Sequence, residues 1–295
     1  MIQIAPPAPS QTTDAYDLHC MEVFGGNQAF SNAVSTPGFD VFITAVPYQG
    51  GEGGGDVHYL SMCAGGRITR FVLADLSGHG MTVDDSAKSL RKLVRKNINT
   101  TDQSGLIRQL NKGVLADEGG SRFATAVLAT YFAPTKTLLA TVAGHPCPLW
   151  YQAEKQQWVL LSPECEGVLN SGNSDAGRNL PLGVVEPTDF SQMQVPLGVD
   201  DMIVLYSDVM IEASDANGRM LGEEGLLEIA NELPSDILMQ DIAPALIKRV
   251  KAHAQSEELD DDLTMVVMHH SGETGRKIGV GEKLAALGKM LGIGE

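Results

Sequence analysis

The chain has 295 residues, of which 43% are hydrophobic and 5% aromatic, so it can bury a sizeable core of mostly aliphatic side chains. Its formal net charge of −16 argues against binding to nucleic acid and to anionic membrane surfaces. Its 4 cysteines form no Cys-x-x-Cys pair, which argues against a zinc site or a disulfide framework and favours free thiols in a reducing cytoplasm.

The N-terminal segment carries no targeting signal that we recognise. Residues 1–18 are polar, contain proline and threonine, and lack the basic start and apolar run of a signal peptide, so we expect a flexible leader. No apolar stretch of the sequence is long enough to span a bilayer. These features predict a soluble, cytoplasmic protein.

Strand patterns follow the leader. Residues 40–46 and 57–63 are strand-like, and the segment Gly50-Gly-Glu-Gly-Gly-Gly55 between them predicts a hairpin with a mobile loop. Residues 70–75 predict a further strand, which ends in a sharp turn at Ser77-Gly-His-Gly80.

The rest of the sequence predicts several helices in a row, then several strands in a row. The middle of the chain predicts helices over 84–98 and 104–115, antiparallel strands over 123–132 and 137–142, short strands within 150–161, and a loop over 162–179. The last third predicts a strand over 202–207, helices over 223–233 and 235–255 with Ser235 as N-cap, and a strand over 263–268.

Blocks of one element type, rather than strict alternation, indicate an α+β fold with antiparallel sheets. Two mainly antiparallel sheets with helices on their outer faces would accommodate this order. We expect one domain over residues 19–270 and a C-terminal tail over 271–295, with a short amphipathic helix at 282–291. The tail could contact a partner or a second copy of the chain, so a homodimer stays open.

Four aspartates fall at predicted strand ends: Asp56, Asp75, Asp208 and Asp261. A single aspartate at such a position is most often a turn former or a helix cap. Carboxylates from several strand ends can converge at one edge of a sandwich, where they suit Mg²⁺ or Mn²⁺. The sequence therefore favours a divalent metal site built from these four side chains.

Six motifs in collinear order resemble those of the SpoIIE-type phosphatases, a branch of the PPM family of metal-dependent Ser/Thr protein phosphatases. They are Gly54-Gly-Asp56, Ala74-Asp-Leu-Ser-Gly-His-Gly80, Ala143-Gly-His-Pro-Cys-Pro148, Pro181-Leu-Gly183, Leu205-Tyr-Ser-Asp-Val-Met-Ile-Glu-Ala213 and Asp261-Asp-Leu-Thr264. The similarity extends from about residue 40 to residue 268, which is most of the chain.

The resemblance implies an α-β-β-α sandwich with two Mn²⁺ or Mg²⁺ ions. Asp75 would bridge the ions, the Leu76 carbonyl would be a backbone ligand, and Asp56, Asp208 and Asp261 would complete the set. The nucleophile would be a metal-bridging water, with no covalent phosphoenzyme. The substrates in this branch are small phosphoserine or phosphothreonine regulatory proteins, the anti-sigma factor antagonists.

Two departures from the family pattern motivate an alternative. Tyr59 stands where the family usually has an acid, and Val209 follows Asp208 where glycine is usual. A weakly active or inactive binding module with a phosphatase fold is therefore the second hypothesis. A third, a nucleotide cyclase, rests only on the Gly54-Gly-Asp56 triplet, and the downstream aspartate motifs have no place in it.

Overall fold

A computed structural model describes residues 15–63, 65–76, 81–97, 100, 102–116, 123–171, 180–186 and 189–272. Three predictions fall outside these ranges: most of the leader, the Ser77-Gly-His-Gly80 turn and the tail helix at 282–291. The boundaries proposed for the leader, domain and tail stay predictions.

The described residues form fourteen strands and five α-helices, numbered here in chain order. The strands are β1 (Tyr16–Asp17), β2 (Val23–Gly26), β3 (Phe30–Thr36), β4 (Phe39–Val46), β5 (Asp56–Cys63), β6 (Ile68–Leu76), β7 (Ala124–Phe132), β8 (Thr137–Ala143), β9 (Leu149–Gln152), β10 (Gln157–Leu160), β11 (Leu169–Ser171), β12 (Gln192–Pro196), β13 (Met202–Tyr206) and β14 (Leu263–His270). The helices are α1 (Met81–Lys96), α2 (Gln103–Leu115), α3 (Val209–Glu212), α4 (Gly222–Asn231) and α5 (Met239–Ala254).

The strands form two seven-stranded sheets. Sheet 1 has the order β1-β3-β4-β14-β13-β9-β10, and sheet 2 has the order β11-β12-β8-β7-β6-β5-β2. Every strand pair is antiparallel except the short contact of β1 with β3. The predicted α+β class with two mainly antiparallel sheets is confirmed.

Three clusters of buried side chains explain the layers. Residues such as Val41 of sheet 1 and Phe71 of sheet 2 pack between the sheets. Leu90 of α1 packs with Leu106 of α2 on the outer face of sheet 2, and α4 and α5 pack on the outer face of sheet 1. Because each sheet has an apolar strand pattern on both faces, each is covered on both sides, which gives the predicted α-β-β-α sandwich.

The predicted hairpin between residues 40–46 and 57–63 is wrong. Strand β4 pairs with β3 and β14 in sheet 1, whereas β5 pairs with β2 and β6 in sheet 2. The glycine-rich segment therefore crosses from one sheet to the other. A glycine-rich connection permits either path, and the pairing partner of β4 lies at the far end of the sequence.

Two smaller predictions also need correction. The segment expected to be a loop at 162–179 contains strand β11, which pairs with β12 at the edge of sheet 2. Ser235 is not the N-cap of α5, because that helix begins after Leu238. Residues 234–237 instead form a separate turn, in which the amide of Ile237 donates to the carbonyl of Pro234 over 3.1 Å.

His58 is an unusual member of the layer between the sheets. Its side chain is 2% exposed, and among the described residues neither ring nitrogen has a hydrogen-bond partner. Burial alone lowers the pKa of His58 to about 4, so the ring is neutral at pH 7. Its ring centroid lies 6.0 Å from that of Phe30.

Replacing His58 by phenylalanine should raise the free energy of unfolding by about 1–3 kcal/mol, because two unpaired polar atoms leave an apolar layer. Urea denaturation of metal-free protein at pH 7 measures the change. A loss of stability would indicate a buried water bound to the ring, and His58→Gln would then be milder than His58→Phe.

No helix among the described residues has the length and apolar character needed to cross a membrane.

Candidate functional site

The predicted aspartates lie at one end of the sandwich. Asp56 and Asp75 are direct partners in the antiparallel β5–β6 pair, so both side chains project from the same face of sheet 2. Asp208 follows β13, and Asp261 precedes β14, its antiparallel neighbour in sheet 1. Ser207 fastens these two ends, since its amide donates to the carbonyl of Thr264 over 2.9 Å.

The two glycines of Gly54-Gly-Asp56 allow close approach of the backbone to the carboxylates. A Cβ on Gly55 would lie 3.1 Å from Asp75 Oδ1 and 3.3 Å from the Leu76 carbonyl oxygen. A Cβ on Gly54 would lie 2.5 Å from the carboxylate of Asp262. Any larger residue would displace the groups that form the site.

Asp262 is the residue that holds this glycine segment in place. Its Oδ1 accepts a hydrogen bond from the amide of Tyr48 over 2.6 Å, and its Oδ2 accepts one from the amide of Gly55 over 2.5 Å. Its own amide donates to Asp261 Oδ1 over 2.8 Å. The carboxylate of Asp262 therefore links the start of β14 to Tyr48, just before the glycine segment, and to Gly55 at its end.

The site concentrates negative charge. Burial, followed by the charges of the neighbouring acids, raises the pKa of Asp75 to about 7; these acids are Asp208, Asp261, Asp262 and Glu212. Burial and the charge of Asp75 raise the pKa of Asp56 well above its usual range, although hydrogen bonds to Ser207 and Thr264 act in the opposite direction. Burial, followed by Glu212 and Asp261, raises the pKa of Asp208.

These shifts predict how stability depends on pH in metal-free protein. A raised folded-state pKa means that Asp75 stabilises the fold below about pH 4 and loses that contribution as pH rises to about 7. Asp75→Asn should therefore gain stability over the native chain with increasing pH, by up to about 1.4 kcal/mol per pH unit in this window.

Urea unfolding in EDTA at several pH values measures that difference. The variant must be compared with the native chain, because both contain buried His145 and His270. The pKa values of these histidines are lowered, so they make stability rise with pH in both proteins. A difference that does not change between pH 4 and pH 7 would contradict the prediction.

The residues at this end fit divalent cations. Among the described ion pairs, none joins a lysine or arginine to the six carboxylates Asp56, Asp75, Asp208, Glu212, Asp261 and Asp262. Asp56 Oδ2 is buried and has no hydrogen-bond partner among the described residues. An unpaired buried carboxylate oxygen beside like charges is the arrangement that a hard cation stabilises.

The described part of the chain contains no group of three or more His, Cys, Asp or Glu side chains already arranged to hold a metal ion. Carboxylates without a counter-charge repel one another, and a bound cation would reduce that repulsion. The assignment of Asp56, Asp75, Leu76, Asp208 and Asp261 as ligands stays a prediction.

The sequence comparison decides the family. Residues 65–271 match the family described as Stage II sporulation protein E (SpoIIE). The chain belongs to the SpoIIE family. It is 24% identical over 208 residues to the phosphoserine phosphatase RsbU of Bacillus subtilis (strain 168), an alignment that covers 66% of this chain and 54% of RsbU. The chain thus spans about half the length of that relative.

Solved structures support the same fold. The structure of the PP2C phosphatase domain and a fragment of the regulatory domain of SpoIIE from Bacillus subtilis has a TM-score of 0.61 at 17% identity, covering 84% of this chain and 70% of that one. RsbX, in a structure in complex with magnesium, has a TM-score of 0.55 at 12% identity, covering 81% and 99%. At such identities the similarity shows a shared fold.

Two of the motifs that resemble SpoIIE sequences contact each other beside the carboxylates. Gly144 has a φ of +66°, and a Cβ there would lie 2.5 Å from Pro181 Cγ. Leu182 exchanges two backbone hydrogen bonds with Ala124, at 2.8 and 2.9 Å, and Ala124 is the register partner of Leu76. The Pro-Leu-Gly segment therefore braces the end of β6.

The two departures from the SpoIIE pattern are accommodated locally. Tyr59 lies on the opposite face of β5 from Asp56, and its hydroxyl donates to the carbonyl of Ala87 over 2.8 Å, which fastens α1 to sheet 2. Val209 is not among the described residues with positive φ. It begins α3 and is buried against sheet 1, so its β-branched side chain causes no backbone strain there.

Sequence reasoning missed three contributors. In the sequence, Asp262, Glu212 and Ser207 are visible only as members of motifs, and no individual role was assigned to them. Their partners are far away in sequence: the Asp262–Gly55 bond spans 207 residues. The available signals for Asp262 were its place in the motif Asp261-Asp-Leu-Thr264 and the glycines at 54 and 55, which leave room for a carboxylate.

Proposed function

We propose that the chain is a metal-dependent protein phosphatase that hydrolyses phosphoserine or phosphothreonine monoesters. The observation that carries the proposal is the cluster of six carboxylates at the end of the sandwich, which no described lysine or arginine neutralises. Membership of the SpoIIE family and the similarity to a phosphoserine phosphatase support it.

Asp56, Asp75, Asp208, Asp261 and the Leu76 carbonyl would hold two Mn²⁺ or Mg²⁺ ions. Bound there, the ions would polarise the phosphoryl oxygens and lower the pKa of an attacking water, without a covalent phosphoenzyme. Asp75 stands at the centre of the cluster, and Asp262 keeps Gly55 against it. Without cations the carboxylates repel a phosphate dianion, so substrate binding itself should require metal.

The substrate class is proposed by analogy, and the similarity to RsbU supports it. RsbU is named a phosphoserine phosphatase. By analogy we assign this chain a phosphorylated regulatory protein, of the anti-sigma factor antagonist kind, as substrate in a cytoplasmic partner-switching pathway. The net charge of −16 argues against nucleic acid or an anionic membrane as partner.

The test is phosphate release by the purified full chain from a phosphoserine peptide and a phosphothreonine peptide, with Mn²⁺, with Mg²⁺ and with EDTA. We expect hydrolysis in either metal and none in EDTA, restored by excess Mn²⁺. A chain that releases no phosphate from any phosphorylated substrate with either metal is not a phosphatase.

Calorimetric titration with Mn²⁺ separates the alternatives. The phosphatase should bind two ions in this site, whereas a binding module with this fold need bind none. Incubation with GTP and assay for a cyclic product tests the cyclase hypothesis, for which we expect no product.

A further inference from the structure

His145 connects the two sheets directly behind the carboxylates. The side chain is 2% exposed, and its Nε2 lies 3.1 Å from the carbonyl oxygen of Tyr206. Because a carbonyl only accepts, Nε2 carries the proton and donates. Nδ1 lies 2.9 Å from the Thr125 hydroxyl and therefore accepts from it. Burial lowers the pKa of His145 to about 4, so the neutral ring keeps this tautomer at pH 7.

The two partners of His145 lie close to two of the proposed ligands. Thr125 on β7 is the register partner of Asp75 on β6, in sheet 2. Tyr206 is the last residue of β13 in sheet 1, two positions before Asp208. One ring therefore links β7, the strand beside Asp75, through the Thr125 side chain to the end of β13, the strand that leads to Asp208.

We propose that His145 is a positioning residue that fixes the separation of Asp75 and Asp208 across the sandwich. This inference rests on the proposed function, because the spacing matters only if both side chains hold cations. Groups that hold ligands in place, without touching the ion, typically affect metal affinity about 10- to 100-fold. In the sequence this histidine is visible only as a member of the motif Ala143-Gly-His-Pro-Cys-Pro148.

The far end of the sandwich provides a matched control. His270 is fully buried, its Nε2 lies 2.8 Å from the Tyr131 hydroxyl, and its Nδ1 donates to the carbonyl of Gly198. It thus makes the same pair of bonds, a β7 hydroxyl on one side and a backbone carbonyl on the other. Thr125 and Tyr131 are six residues apart on β7, which places His270 about 20 Å from the site.

The experiment removes one hydroxyl at each end. Thr125→Val and Tyr131→Phe each leave a ring nitrogen without its donor while nearly keeping side-chain shape. Mn²⁺ affinity of the full chain is measured by calorimetry, and the urea midpoint is measured in EDTA. We expect similar decreases in midpoint for both variants. The Kd for Mn²⁺ should rise at least 5-fold for Thr125→Val and less than 2-fold for Tyr131→Phe.

Substitutions of the histidines themselves extend the comparison. His145→Leu should raise the Kd for Mn²⁺ at least 10-fold, and His145→Gln, which can still donate to Tyr206, should recover part of that loss. His270→Leu should leave the Kd within 2-fold. If His145→Leu does not fold, the two hydroxyl variants decide, since both retain the ring.

The possible failures differ from one another. Equal Mn²⁺ affinities for Thr125→Val and Tyr131→Phe, with a native chain that binds Mn²⁺, would overturn the positioning role and leave the proposed phosphatase intact. A native chain that binds no Mn²⁺ would overturn the proposed function, and the inference with it.

Discussion

Replacing Asp75 by asparagine is expected to lower kcat/KM for metal-dependent phosphate release by about 1000-fold or more. Asparagine keeps the shape of the side chain but removes the charge that five neighbouring acids surround. It also offers an N–H₂ group where a cation needs an oxygen. A 1000-fold loss corresponds to about 4 kcal/mol of transition-state stabilisation, which lies within what a metal site supplies.

The loss should not come from unfolding. In EDTA at pH 7, Asp75→Asn should be at least as stable as the native chain, because it removes a carboxyl that burial and repulsion disfavour. Asp236→Asn, an exposed substitution of the same chemistry, should change kcat/KM less than 2-fold. If Asp75→Asn keeps a tenth of the native activity, Asp75 is not the central ligand.

Much of the fold could be predicted because hydrophobic periodicity is local. Strands such as β6 and β7 and the two helix pairs carry patterns that need no knowledge of their partners. The path after β4 could not be predicted in this way, since Val46 pairs with Leu263 near the other end of the chain. Strand β3 was missed because its sequence, FSNAVST, is largely polar and only partly buried.

The same limit applies to the site, where local patterns could be predicted and contacts between distant residues could not. Carboxylates at strand ends are visible in the sequence, and the structure places Asp56 directly opposite Asp75. What the sequence could not show are side chains whose role depends on a distant partner. His145 contacts Tyr206, 61 residues away, and so its pattern in the sequence is that of any histidine in a turn. Charge patterns alone also could not distinguish Asp262 from its exposed neighbours.

Asp262 illustrates why that distinction matters. Replacing it by asparagine should lower kcat/KM about 10- to 100-fold, although Asp262 is not among the proposed metal ligands. An amide has one oxygen, so it can accept from Tyr48 or from Gly55 but not from both, and its N–H₂ group would face the other amide. The Gly55 backbone would then move away from Asp75, with which it is in close contact.

Asp260→Asn is the matched control for this prediction. Asp260 lies two residues earlier in the same acidic run and is exposed, so its substitution removes the same charge without breaking a described hydrogen bond. We expect less than a 2-fold change in kcat/KM for Asp260→Asn and a free energy of unfolding lowered by about 1–3 kcal/mol only for Asp262→Asn. An equal loss of activity in the two variants would mean that the charge of the acidic run supports catalysis, and native activity in both would mean that the hydrogen bonds of Asp262 to Tyr48 and Gly55 do not.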